Sequence, residues 1–237
     1  QEVCGLDNFA TGKPADLQAV QAAVSPAQWQ RFRFIEGDIV RPEDCERAVV
    51  GAEYLVHLAA LGSVPWSIAD PLRTHASNVT GFVNMLLAAR AAGLRRVVYA
   101  SSSAVYGDAT EPPNREPLLG QQLSPYAASK LANEAYAQSF REVYGLASIG
   151  LRYFNVFGPR QDPNGPYAAV IPRWIASLLA GTPCTIFGDG LHTRDFCFVA
   201  DVAQALLRAA LHATPAAVQA HAFNVAGGRA TSLLELH

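Results

Sequence analysis

Lysine is scarce in this chain. Of 18 basic residues only Lys13 and Lys130 are lysines, and arginine supplies the other sixteen. Arginine serves as well wherever only a solvated charge is needed. A lysine kept in this background is therefore a candidate for chemistry that a guanidinium does not do, with chance as the alternative. Cysteine is sparse too: Cys4, Cys45, Cys184 and Cys197 are scattered, with no C-x-x-C pair. That spacing argues against a zinc or dithiol site and for reduced, buried thiols in a cytoplasmic protein. The six histidines show no H-E-x-x-H or other ligand spacing, so no metal site is expected. There is no basic surplus, the net charge being −2, which argues against nucleic acid as a partner. No apolar run reaches the roughly 18 residues of a membrane span. The first residues, Gln1 to Asp7, carry no basic region ahead of an apolar stretch and do not read as a signal peptide.

Half of the residues are hydrophobic, enough for a substantial core. Short apolar runs alternate with segments of helical period. Residues 3–6, 32–35, 54–58, 97–100 and 147–153 read as strands, each a nearly continuous apolar run of the kind buried on both faces of a parallel sheet. Residues 70–92 read as one helix with Val79, Phe82, Val83, Leu86 and Leu87 on its apolar stripe, stopped by Gly93. Ser124-Pro125 opens another, with serine as cap and proline in the first helical position. The alternation predicts a doubly wound α/β parallel sheet, in which ligands bind at the carboxyl ends of the strands. Those ends carry Asp7, Asp38, Ala59-Ala60, Ser101-Ser102-Ser103 and Asn155. Beyond Pro159 lie a turn-rich connection (161–166), a helix (172–180) and a strand-like piece (184–187), read as the start of a smaller lid domain. Asp201 reads as the cap of a helix over 202–210.

The most informative spacing is Tyr126-Ala127-Ala128-Ser129-Lys130. Residues four apart share a helix face, so phenol and ammonium point into the same space. A neighbouring cation favours phenolate and suits the tyrosine to act as a general base. An incidental pair on a solvated face has the same spacing. Ser101-Ser102-Ser103-Ala104-Val105-Tyr106-Gly107, directly after a buried strand, adds hydroxyls able to orient a substrate hydroxyl or share its proton; a serine-rich turn is the bland reading. Together the two segments are far more specific than either alone.

With these motifs the chain resembles the extended short-chain dehydrogenase/reductase family, and within it the NAD-dependent nucleotide-sugar 4-epimerases. Residues 5–12, 37–39, 57–60, 101–107, 126–130, 151–159 and 188–195 fit in order and spacing. Residues 60–65 and 161–165 look most like the bacterial UDP-N-acetylglucosamine members. The resemblance implies NAD as cofactor and a UDP-sugar as substrate. It places Asp7 on the adenosine ribose, with Asn8 and Gly12 completing that wall and Asp38-Ile39 flanking adenine. Leu58, Ala59 and Ala60 let the backbone approach the cofactor. Ser101, Lys130, Tyr153 and Val156 belong to the nicotinamide side. Asn78 bonds a cofactor-side loop or serves as a cap-like structural residue. Tyr126, Lys130, Ser102 and Ser103 carry the catalysis. Ser63, Ser102, Ser103, Tyr126, Asn155, Ala169, Val170, Trp174, Thr185 and Phe187 line the sugar-nucleotide side. Arg194 resembles an arginine that meets the diphosphate, with a surface ion pair or helix-dipole role as the alternative.

The family's glycine-rich phosphate loop belongs about 20 residues before the acidic ribose ligand. Here Asp7 is the seventh residue, and the last residues read as the opening of a helix. The expected architecture is therefore a Rossmann-like sheet lacking its first strand, with part of a small substrate-binding domain. Residues 1–158 and 192–226 form the cofactor domain, 159–191 the start of the substrate domain, and 227–237 the start of a cut-short C-terminal region. Such a polypeptide alone is expected to bind NAD poorly, and a homodimer is expected of the full-length protein. The expected reaction is 4-epimerisation through a 4-keto sugar. A uronate epimerase, a decarboxylase or a 4,6-dehydratase are the chemical rivals. The dehydratase is disfavoured by Ser103-Ala104 standing where Asp-Glu would be required. A non-catalytic dinucleotide-binding module is the rival of another class.

Overall fold

The computed structural model describes residues 1–109, 113–164 and 168–237. Its elements in chain order are β1 (Val3–Asp7), α1 (Pro14–Ala23), α2 (Pro26–Trp29), β2 (Phe32–Glu36), α3 (Pro42–Val49), β3 (Tyr54–His57), α4 (Val64–Ala69), α5 (Pro71–His75), α6 (Gly81–Ala91), β4 (Arg96–Ser102), α7 (Pro125–Tyr144), β5 (Ser148–Tyr153) and β6 (Asn155–Phe157). They continue with α8 (Val170–Leu179), β7 (Thr193–Phe198), α9 (Val199–Leu211), α10 (Pro215–Ala220), β8 (Ala222–Val225), β9 (Ala230–Ser232) and α11 (Leu233–Leu236).

The five strands read from the sequence are present, in a doubly wound, Rossmann-like parallel α/β arrangement. The central sheet runs β3-β4-β5-β8, all parallel, and β1 pairs with β2 in a separate parallel ladder. Among the described residues no ladder joins β1 to β3. A third sheet pairs β6 with β7 in parallel and β7 with β9 antiparallel.

The alternation of side chains along β4 explains why both faces are covered. Val97 and Tyr99 point into a core built from α3, α6 and α7, with Cys45, Phe82, Met85, Leu86, Ala137 and Phe140. Val98 points the other way, into a cluster with Ile149, Leu151, Ala209 and Ala210 that α9 and α10 cover. Leu6 of β1 and Leu55 of β3 pack against the first core, so apolar burial through α3 and α6 holds the two ladders in one molecule. Gly81 is required where these helices meet, because a Cβ there would lie 2.6 Å from the Ile39 side chain.

Four local expectations need correction. The segment 70–92 is not one regular helix: α5 widens into a π-helical turn over Ala76–Thr80 before α6 begins. On its stripe Val79, Phe82 and Leu86 are buried but Leu87 is 41% exposed, Met85 taking the core position instead. Residues 184–187 form no strand; the Trp174 indole N–H, held on α8, donates to the Thr185 carbonyl (3.1 Å) and ties this stretch as a loop. Asp201 is not the cap of α9 but lies inside its first turn, where a carboxylate still complements the helix dipole. Gly93, by contrast, does end α6 with φ +68°, as the sequence suggests.

Candidate active site

The site is assembled at the carboxyl ends of β4 and β5 by the first turns of α7. Ser124 caps α7, its Oγ accepting the Ala127 N–H at 3.1 Å, and Pro125 stands in the first turn. This fixes the start of the helix and with it the direction in which Tyr126 leaves it. One turn on, Lys130 is 3% exposed, which rules out a pair displayed on a solvated face. Its Nζ donates to the Ala100 carbonyl of β4 at 2.9 Å and lies 6.0 Å from the centre of the Tyr126 ring. Phenol and ammonium therefore share one face, against the strand that ends in the serines. Burial pushes the Lys130 pKa down to about 8, within reach of working pH.

Ser102 and Ser103 follow two and three residues after that carbonyl. Ser102 opens a 3₁₀ turn over Ser103–Tyr106, its Oγ accepting the Ala104 N–H at 3.1 Å, and both serines are half-buried. Ser101 points elsewhere. It is 2% exposed and its hydroxyl donates to Glu134 Oε1 at 2.6 Å, so its side chain does not belong to the cofactor wall expected of it.

At the far end, the expected adenosine residues come together. The Asp7 carboxylate is exposed and held by the Phe9 N–H (2.6 Å), with Gly12 beside it. The Asn8 amide donates to Asp38 Oδ2 at 3.0 Å, joining the tips of β1 and β2. Ile39 departs from its expected place, since its side chain is buried against Gly81 in the core. Between the two ends, half-buried Ala59 and Ala60 and exposed Leu58 follow β3.

Asn78 sits in the π-helical turn, fully buried. Its amide accepts the Leu61 N–H (2.7 Å) and donates to the Leu61 carbonyl and to Ser129 Oγ, both at 3.0 Å. It therefore clamps the loop after β3 to the catalytic helix, and its side chain is spent on protein partners rather than on a cofactor.

Of the remaining candidates, Tyr153 ends β5 with its Oη buried and without a hydrogen-bond partner among the described residues, and burial raises its pKa far above the usual phenol range. Asn155 donates to the Asp195 carbonyl (2.9 Å) and Val156 pairs with Cys197 across β6 and β7. Ser63 is buried as the cap of α4, accepting the Trp66 N–H at 3.2 Å. Ala169 and Val170 open α8, and Phe187 is 72% exposed. Trp174 is buried, and its indole N–H donates to the Thr185 carbonyl, which ties α8 to the loop over 182–187. Arg194 is exposed and bonds the carbonyl of Thr193.

Two features escaped the sequence reading. His57, at the end of β3, is buried against the Phe82 ring, its Nε2 without a partner among the described residues; burial and then the Lys130 charge push its pKa down to about 3, so it is neutral. The other is the carboxylate of Glu134, one further turn along α7 and paired with Arg152. Its spacing of four from Lys130 was the available signal. Among the described residues no group of His, Cys, Asp and Glu is arranged to hold a metal. A cavity of about 880 Å³ opens on the opposite face, lined by Ile149, Leu151, Ala209, His212 and Phe223, and gathers none of the candidate catalytic residues.

A family model described as NAD dependent epimerase/dehydratase matches residues 1–226. The chain belongs to that family. It is 40% identical over 240 residues to a UDP-glucose 4-epimerase of Mycolicibacterium smegmatis, an alignment covering 99% of this chain and 72% of the relative. Among solved structures it is similar to a UDP-N-acetylglucosamine 4-epimerase from Methanobrevibacter ruminantium in complex with UDP-N-acetylmuramic acid (TM-score 0.89, 37% identity, 99% and 72% covered). It is also similar to the Thermus thermophilus UDP-glucose 4-epimerase complexed with NAD (TM-score 0.84, 34% identity, 99% and 73% covered). The chain thus spans about seven tenths of the length of these relatives.

The residues present fit the NAD of this family. An exposed carboxylate suited to a ribose diol stands at one end, small residues follow β3, and a buried hydroxyl unpartnered among the described residues stands with a buried ammonium at the other.

Proposed function

We propose that this protein catalyses the 4-epimerisation of a UDP-sugar, UDP-glucose or UDP-N-acetylglucosamine, through a 4-keto intermediate. The observation that carries the reading is the burial of Lys130 with its ammonium on the Ala100 carbonyl beside the Tyr126 ring. Burying an ammonium is costly, and a scaffold has no use for one in this place. Tyr126 takes the proton from the sugar 4′-hydroxyl, while Ser102 and Ser103 orient that hydroxyl. Bound NAD supplies the acceptor and donor of the C4 hydride. Lys130 stabilises the phenolate and holds the nicotinamide ribose, with Tyr153 and Val156 closing that side. Asp7, Asn8, Gly12 and Asp38 hold the adenosine half, and the Asp7 charge favours a free 2′-hydroxyl over a 2′-phosphate. Arg194 meets the diphosphate, and Asn155, Ala169, Val170, Thr185 and Phe187 line the sugar-nucleotide side. All four thiols are free, which suits a cytoplasmic setting. A homodimer through α6 and α7 is supported by their exposed Leu87, Tyr136, Val143 and Tyr144.

Replacing Tyr126 with phenylalanine tests the assignment. In the full-length protein, Tyr126→Phe is expected to lower turnover by about 10²-fold or more while NAD affinity stays within about twofold. Epimerisation at the wild-type rate in that variant would overturn it. Offering each UDP-sugar in turn and reading the 4-epimer by NMR decides the sugar.

A further inference from the structure

Tyr126, Lys130 and Glu134 occupy successive positions four apart on α7 and form one stripe facing β4 and β5. The third of them does no chemistry in the reaction above, yet its carboxylate accepts three hydrogen bonds. Glu134 Oε1 accepts the Ser101 hydroxyl at 2.6 Å and Arg152 Nε at 2.9 Å, and Oε2 accepts Arg152 Nη2 at 2.7 Å. Arg152, 4% exposed, also donates through Nη1 to the Tyr106 hydroxyl (3.1 Å) and to the Glu116 carbonyl (2.9 Å). The Tyr106 hydroxyl in turn donates to Asn224 Oδ1 at 2.6 Å, which brings β8 into the network.

Followed along the chain, these bonds have a simple layout. The stretch from Ala100 to Tyr106 is tied down at three points: the Ala100 carbonyl by Lys130, the Ser101 hydroxyl by Glu134, and the Tyr106 hydroxyl by Arg152. Ser102 and Ser103 lie between the ties. A buried ion pair is weak evidence of stabilisation, because desolvation offsets most of the attraction. What such a pair does supply is fixed geometry, since each carboxylate oxygen is taken by a directional donor.

We propose that Ser101 and Glu134 are positioning residues, which hold the serine-bearing end of β4 in register with the Tyr126–Lys130 face of the catalytic helix. The proposal rests on the epimerase reading of that face. Arg152 braces the carboxylate so that it presents one oxygen to Ser101. Without the tie, Ser102 and the acceptor carbonyl of Lys130 gain freedom at the point where small displacements cost most.

The test compares Ser101→Ala, Glu134→Gln and the double variant in NAD-loaded protein, and follows hydrogen exchange of the Ala104 and Gly107 amides without ligands. Ser101→Ala is expected to lower kcat about tenfold with KM for the UDP-sugar within about twofold. The two amides are expected to exchange about tenfold faster. In the Glu134→Gln background, Ser101→Ala is expected to cost less than it does alone, because without the Arg152 brace the acceptor of the Ser101 hydroxyl is already loosened. Wild-type kcat and exchange in Ser101→Ala, or losses that multiply in the double variant, would overturn the proposal. Should Glu134→Gln fail to fold, Ser101→Ala decides by itself, since it leaves the Arg152–Glu134 pair in place. Tyr126→Phe run alongside separates the two claims. If it is inactive while Ser101→Ala is normal, only the positioning role falls. If it is fully active, the epimerase reading falls.

Discussion

Lys130 is where charge and burial conflict most directly. Its ammonium has one protein carbonyl as acceptor and burial lowers its pKa from 10.5 to about 8. The unfolded chain therefore binds the proton more tightly between pH 8 and 10.5, and this residue adds stability as pH rises through that window. Below about 8 it is a cost to the fold, on the order of 3 kcal/mol. Lys130→Met is accordingly expected to leave the protein as stable as the wild type at pH 7 or more so, while abolishing turnover. Thermal denaturation and an activity assay on the same sample check this; a melting temperature lowered by several degrees would mean that the lysine is structural. The lysine was legible in the sequence because its side-chain chemistry is rare in this chain. The bonds of Ser101 were not: a third serine in a row gives no sign of which one turns away toward Glu134, 33 residues later.

Among the elements, α7 could be read from its first two residues, because a serine cap and a first-turn proline act locally and do not depend on the rest of the fold. The segment 70–92 could not be read so fully. Its apolar period is helical throughout, but the π-helical turn at Ala76–Thr80 puts Asn78 where its amide bonds both backbone groups of Leu61 and the Ser129 hydroxyl. Those partners lie 17 and 51 residues away, and no local pattern encodes them. Asn78→Ala would leave a buried N–H and C=O unpaired and is expected to cost about 2–4 kcal/mol by chemical denaturation. It is also expected to weaken NAD binding, measured by calorimetry, because the loop after β3 loses its clamp. Unchanged stability would contradict the clamp. Residues 184–187 misled for a related reason. Their composition suits a strand, but a single indole donor on α8 decides their conformation.

At the scale of the whole molecule, five parallel strands and the two-sided core follow from the alternation of apolar runs and helices, and so were open to inspection, whereas the strand order and the edge strand β8 were not. The stretch between β6 and β7 was less so, because its loop over 182–187 is fixed by isolated side-chain bonds. The split between the β1-β2 ladder and the four-stranded sheet has a physical consequence. A two-stranded ladder is marginal on its own and here leans on α3 for its burial, whereas β4 has partners on both sides. Hydrogen exchange is expected to be at least about tenfold faster in β1 and β2 than in β4 and β5. Equal protection would show that the ladders unfold as one unit. The proposed catalytic residues, by contrast, lie on α7 and at the end of β4, in the better-supported part.

The account requires that the hydrogen removed from the sugar come back to the same carbon, with a tyrosine handling only the hydroxyl proton. The most direct test is to supply the NAD-loaded protein with a UDP-sugar carrying deuterium at C4 and to follow the product by NMR. The expected result is the 4-epimer with its deuterium retained at C4 and no net accumulation of NADH. Loss of the label to water, or a stoichiometric oxidised sugar in place of the epimer, would contradict it.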